Sequence, residues 1–235
     1  MRVVPSPGMM RASLCVRHFG MPFLCSDDEV IEAYLDLRRR VIDLIDLIPE
    51  SDATRHVPLC PEWTVVDLVS HMVGVPEDIL AGRMEGVTTD AWTRAQVDRH
   101  RGDTLATLAT AWKELAPDFD VVLPLIPSPV NSQMVMDAVT HEHDLRHAVG
   151  LVDAHDSSAV VVALGWALHS VEARSPGLGE SLRESQVPRF ELLRSLTGRR
   201  SVDQMNALGL EGEYIASLLH GSPLTPPSTA VDENR

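Results

Sequence analysis

Two cap motifs, each opening a run of helical period, constrain this chain more than any other feature. Ser26-x-x-Glu29 is a capping box, and Thr64-x-x-Asp67 repeats the arrangement with a shorter acid. After the first, Ile31, Tyr34, Leu35, Ile42, Ile45 and Ile48 keep helical spacing as far as Pro49, which predicts a helix over 27–48. After the second, Val65, Leu68, Val69 and Met72 form the apolar face of a helix reaching about Leu80, and Gly82 and Gly86 loosen the chain beyond it. Pro58 to Glu62 reads as a loop between the two. No clean period-2 strand occurs; the run Ala159–Leu164 is absorbed by the helical pattern around it.

The same pattern continues. Leu105, Leu108, Ala109, Trp112 and Leu115 are the stripe of a third helix expected over 90–116 and stopped by Pro117. Pro124, Pro127 and Pro129 make a loop. Asn131 or Ser132 opens a fourth helix to Val149, with Gly150 as its stop. Four amphipathic helices in succession predict a four-helix bundle over 26–150. Beyond it, helices are expected from Ser157 or Ser158 to about Arg174, from Pro188 to Leu196, after the cap Ser201-x-x-Gln204, and over 211–220. The fold class is therefore all-α: a bundle, then a smaller, mainly helical C-terminal region over 151–221. Residues 222–235 carry Pro223, Pro226 and Pro227 and read as a disordered tail. Residues 1–25 lack apolar periodicity and any continuous apolar core, and read as a disordered leader or a misassigned start, with Met21 as the alternative.

Charge and composition narrow the function. With 20 basic and 34 acidic residues the net charge is −14, a field that repels polyanions, so nucleic acid and anionic membrane are poor partners. Aromatic residues are 4%, too few for a base-stacking surface. No apolar run approaches the roughly 18 residues of a membrane helix. Three cysteines, Cys15, Cys25 and Cys60, form neither a disulfide framework nor a CxxC pair, which fits a reducing cytoplasm. Thiol chemistry here calls for a thiol from outside the chain.

Ten histidines stand out. His56, His100, His155, His169 and His220 lack acidic or His partners at useful helical spacing or sit near helix ends. The stretch Asp137 to His147 differs. Asp137 and His141 are i and i+4, one turn apart on one helix face, the spacing by which a helix offers two ligands to one metal. Asp144, three residues after His141, can orient that ligand or pair with a cation, whereas His143 points away. A third ligand must come from another helix, and His71 interrupts the inward face of the second. The alternatives are a solvated polar face on the fourth helix and a core histidine bonded to backbone on the second.

These residues also carry a resemblance. Cys60-Pro61-Glu62-Trp63-Thr64, then Asp67-Leu68 and His71, resembles the first motif of the mycothiol-dependent maleylpyruvate isomerase family, a branch of the DinB-like helical bundles. Asp137 to Gly150 is similar to its second motif, acid-x-x-x-His-x-x-Asp-Leu. Phe190 to Ser201 is similar to a Leu-x-Gly-Arg-Arg-Ser segment near the C-terminus of many members. The three motifs, in order, span about residues 26–220.

The resemblance implies that His71, Asp137 and His141 bind a divalent metal, usually zinc, that mycothiol is the external thiol, and that the substrate is a small electrophile. Asp137 stands where the isomerase has Glu. In the isomerase, as the resemblance implies, the thiolate adds to a cis double bond, the bond rotates, and the thiol leaves. Fuller members carry a small α/β domain after the bundle, and the mainly helical forty residues between Gly150 and Phe190 make that region shortened or rebuilt here. Arg199 and Arg200 are expected at the surface or the rim of the pocket, where one could hold an anionic carboxylate. The expected activity is a thiol-dependent isomerase or S-transferase; the alternative is a non-catalytic metal-binding sensor or interaction module of the same fold.

Overall fold

The computed structural model describes residues 22–231. Ten helices and one short hairpin follow one another there. They are α1 (Asp27–Leu47), β1 (His56–Val57), β2 (Cys60–Thr64), α2 (Val65–Ala81), α3 (Asp90–Arg99), α4 (Leu105–Val122), α5 (Val130–Val149), α6 (Ser158–Arg174), α7 (Leu178–Arg183), α8 (Arg189–Leu196), α9 (Val202–Ala207) and α10 (Gly212–Leu219). Both capping boxes form: Glu29 accepts from the Ser26 N–H at 2.9 Å, and Asp67 from the Thr64 N–H at 2.9 Å. Gly150 ends α5 in the left-handed region, at φ 73°.

Helices α1, α4, α2 and α5 pack in that order around a shared core, the all-α, DinB-like bundle. Tyr34, Leu37, Leu68, Leu108, Trp112, Phe119 and Val139 are buried in it, with the Tyr34 and Phe119 rings 5.3 Å apart. Arg40 of α1 grips the buried Glu142 of α5 with two hydrogen bonds, at 3.2 and 2.8 Å. Helix α6 lies against both α1 and α5 and carries α7 and α8, so it is apolar nearly all round.

Three expectations are corrected. The helix expected over 90–116 is two: α3 lies on α2 outside the bundle, and α4 is the true third bundle helix. Gly102 at φ 94° turns the chain between them, and Thr104 caps the second. Pro117 does not stop α4, because Phe119 and Leu123 beyond it are buried and hold the helix on course. The loop at Pro58–Glu62 is mostly strand: β1 and β2 pair antiparallel, too short a hairpin to show alternation.

The ends also carry contacts. Residues 222–231, read from sequence as part of a disordered tail, run past Gly198, where an added Cβ would meet the Leu224 carbonyl oxygen at 2.2 Å. Thr225 donates to the Leu219 carbonyl, and Gln204 to that of Val231. Of the leader, residues 22–25 lie against the fold, the Phe23 carbonyl packing on Gly165. Residues 1–21 and 232–235 lie outside the described residues. No helix among the described residues is long and apolar enough to cross a membrane.

Candidate metal centre

Helices α2 and α5 are adjacent in the bundle, and each presents its polar interruption to the other. His71, Asp137 and His141 offer ligand atoms that all lie within 4.8 Å of one another. His71 Nε2 is 3.4 Å from Asp137 Oδ2, and His141 Nε2 is 3.6 Å from Asp137 Oδ1. The histidine side chains are buried, 4% and 11% exposed, while that of Asp137 is 41% exposed, so the cluster opens to solvent at its carboxylate. Trp63, brought over by β2, stacks obliquely on both imidazoles at 5.2 and 5.7 Å, and Trp92 of α3 stands edge-on to His71 at 6.4 Å.

The electrostatics of the cluster ask for a cation. The Nδ1 of His71 lies 2.7 Å from the Gln96 side-chain oxygen, so a neutral His71 ring aims its Nε2 lone pair at a carboxylate. Two acceptors face each other unless a proton or a metal ion lies between them. At Asp137, burial opposes ionisation, but the His71 charge and hydrogen bond, then the His141 charge, outweigh it and bring the carboxyl down to about 2. At His71, burial works against the charged ring, yet Asp137 prevails and the net shift is upward. At His141 burial prevails and the shift is downward. Two imidazole nitrogens and a carboxylate oxygen are a donor set suited to zinc and similar divalent ions, with one position left open. The residues present therefore fit a divalent metal.

Behind the cluster sits Asp144, fully buried. Its Oδ2 is 3.3 Å from His141 Nδ1, near enough to orient the ring although the angle is too poor for a well-formed hydrogen bond. Arg194 reaches Oδ1 at 2.9 Å and Arg199 reaches Oδ2 at 2.7 Å. This overturns the expected placement of the arginines. Arg199 and Arg200 are 7% and 6% exposed, and the left-handed turn at Gly198 sends both inward. Arg199 ends on Asp144, and Arg200 on Glu191 at 2.7 and 3.0 Å, so both forks already hold carboxylates of the chain itself.

A second group, Cys60, His141 and Asp144, also converges. It is the poorer cradle. Burial, then the Asp144 charge, raises the Cys60 thiol to about 12, so it offers no thiolate, and both Asp144 oxygens are taken by guanidiniums. His143 points away as expected, its ring 4.6 Å from that of Phe190.

The sequence reading missed Gln96, Asp78 and Trp92. A signal for the first two was present: His71, Gly74 and Asp78 stand at i, i+3 and i+7, so a candidate ligand, a glycine and an acid share one helix face.

Residues 34–147 match the family model described as the mycothiol maleylpyruvate isomerase N-terminal domain. This span of the chain belongs to that family. Neither curated proteins nor solved structures gave a match. The matched span of this isomerase-type domain covers nearly all of the bundle, including His71, Gln96, Asp137, His141 and Asp144, and ends before Arg194 and Arg199. Membership thus points to mycothiol-related chemistry around a candidate metal site.

Proposed function

We propose that the protein is a mycothiol-dependent metalloenzyme, an isomerase or S-transferase, in which an external low-molecular-weight thiol attacks a small electrophile. One observation carries the reading: His71 Nε2, His141 Nε2 and the Asp137 carboxylate converge at the solvent-open edge of an otherwise buried polar cluster. A bound divalent ion, zinc being the best fit to these donors, would supply the positive charge that keeps an incoming thiol ionised near neutral pH.

The chain's own groups do the rest. His71 and His141 hold two positions from the buried side, and Asp137 holds a third at the mouth. Trp63 and Trp92 wall the cluster and thin out water beside it, which strengthens the electrostatics within. Neither described cysteine competes for the role of nucleophile. Cys60 is paired off behind the cluster, and burial followed by the Glu29 charge raises the Cys25 thiol. A reducing, cytoplasmic setting suits such a thiol cofactor, and the net charge of −14 suits small-molecule rather than polyanion partners.

The test uses the full chain loaded with zinc, mycothiol, and two probes: a generic alkylating electrophile and maleylpyruvate. Thiol consumed with the first marks a transferase; cis–trans conversion without net thiol loss marks an isomerase. Either activity should vanish in His141→Ala. Stoichiometric metal with no thiol-dependent turnover on either probe overturns the enzyme reading in favour of a metal-binding sensor module.

A further inference from the structure

Gln96 is the one buried residue of α3, a helix whose other residues are partly or fully exposed. Its side chain is wholly buried between α2 and α3, and both ends of the amide are used. Its oxygen lies 2.7 Å from His71 Nδ1, and its nitrogen donates to Asp78 Oδ2 at 2.8 Å. The other Asp78 oxygen accepts from Arg83 Nε and Arg99 Nη2, each at 2.6 Å.

These contacts have one consistent arrangement. The Asp78 carboxylate already takes two guanidinium donors, so the amide end facing it must be the NH2 group. The amide oxygen then faces His71, and Nδ1 must donate to it. Nε2, on the other side of the ring, is left with its lone pair toward Asp137. Rotating the amide by half a turn would set its oxygen against the Asp78 carboxylate, acceptor against acceptor, and lose that anchor inside a buried space.

The backbone makes room for this device. A Cβ on residue 74 would meet Gln96 Cβ at 2.6 Å and Cγ at 2.7 Å. Gly74 sits mid-helix, where glycine costs about 1 kcal/mol relative to alanine. Its presence there is explained by the close approach of Gln96, one turn along from His71.

We propose that Gln96 is a positioning residue for the metal ligand His71: anchored by Asp78 and admitted by Gly74, it fixes the ring orientation and the tautomer in which Nε2 is the bare, ligating nitrogen. The proposal deepens the metal reading above and rests on it for its consequence in metal affinity, but the tautomer claim concerns the metal-free protein as well. It also explains why α3 leaves the bundle: the chain detours to deliver one amide to the back of a ligand.

Two measurements on the full chain test it. The first is the nitrogen NMR pattern of His71 in the metal-free protein at about pH 9, where an imidazole is neutral. Wild type should show Nδ1 protonated and Nε2 bare; in Gln96→Leu the tautomers should mix. The second is zinc affinity by competition with a chromophoric chelator. Gln96→Leu should lose about 10–100-fold, the usual effect of removing a partner from behind a ligating histidine. Gln96→Glu combined with Asp78→Asn keeps an oxygen toward His71 and a donor toward position 96, so it should restore the tautomer and bring affinity within a few-fold of wild type. Should Gln96→Leu fail to fold by circular dichroism, this double variant decides. A folded Gln96→Leu with wild-type tautomer and affinity overturns the proposal, as does a folded double variant that remains defective in both. A wild type that takes up no zinc defeats the metal reading instead, and the tautomer measurement still decides the role of Gln96.

Discussion

Asp137 and His71 face each other from neighbouring helices with 3.4 Å between carboxylate oxygen and imidazole nitrogen, both acceptors when the ring is neutral. An ion bound there would tighten α2 against α5. Wild-type protein should therefore gain thermal stability on adding zinc. At a free concentration of 100 times Kd the gain is about 2.7 kcal/mol. His71→Ala and His141→Ala should show no such gain and should carry no stoichiometric metal by elemental analysis. Equal stabilisation of wild type and both variants would place the ion elsewhere.

Asp144 is matched by two buried guanidiniums, so removing it takes from each its carboxylate partner at 2.9 and 2.7 Å. Asp144→Ala should lose about 3–5 kcal/mol in urea denaturation, far beyond the loss of one surface ion pair. A loss under about 1 kcal/mol would mean that water reaches the arginines.

The thiol of Cys60, pushed up to about 12 by burial and by Asp144, stays protonated at neutral pH and resists attack. Cys60→Ala should keep its thiol-dependent turnover, and alkylation of Cys60 at pH 8 should be slow until the protein unfolds. Rapid alkylation of the folded protein, or loss of turnover, would give Cys60 a chemical role.

His100, read from sequence as a lone histidine, lies 3.2 Å from Glu77 and 2.9 Å from Asp103. The hydrogen bond to Glu77 is the chief cause that raises its pKa, burial opposing it, with Asp103 adding to the rise. A raised folded-state pKa stabilises fully below the unfolded value near 6.5 and fades as pH climbs through the folded one. Wild type should thus exceed His100→Gln by on the order of 1 kcal/mol at about pH 5, and the two should converge by about pH 9. A gap that widens with pH would contradict the pairing.

How much was legible depends on which signals are local. Capping boxes act within four residues, and the one-turn pair Asp137–His141 needs only a helix to converge, so both are readable in the chain. Convergence with His71 needed the packing of α2 on α5, which the bundle pattern supplied. The split of 90–116 was missed because all five stripe residues belong to α4, while α3 has no apolar stripe of its own to mark a separate helix, and Gly102 and the Thr104 cap are weak signals of a break. Arg199 and Arg200 were misplaced because charged residues after a glycine turn read as surface, and their acids lie 55 and 9 positions away. Gln96 could be inferred only from its glycine, since its partners lie 25 and 18 positions away.

The arginine pair on Asp144 bears on how the chain can be divided. Arg194 and Arg199 come from beyond the family-matched span, yet they neutralise a buried charge inside it, directly behind the candidate ligand His141. A fragment cut after Gly150 would keep every candidate ligand but strand a desolvated carboxylate against His141. The excised bundle should then melt or take in water where the ligands meet, and grafting it as a portable metal module would fail. Pattern draws a seam at Gly150, but unfolding should cross that seam as a single transition.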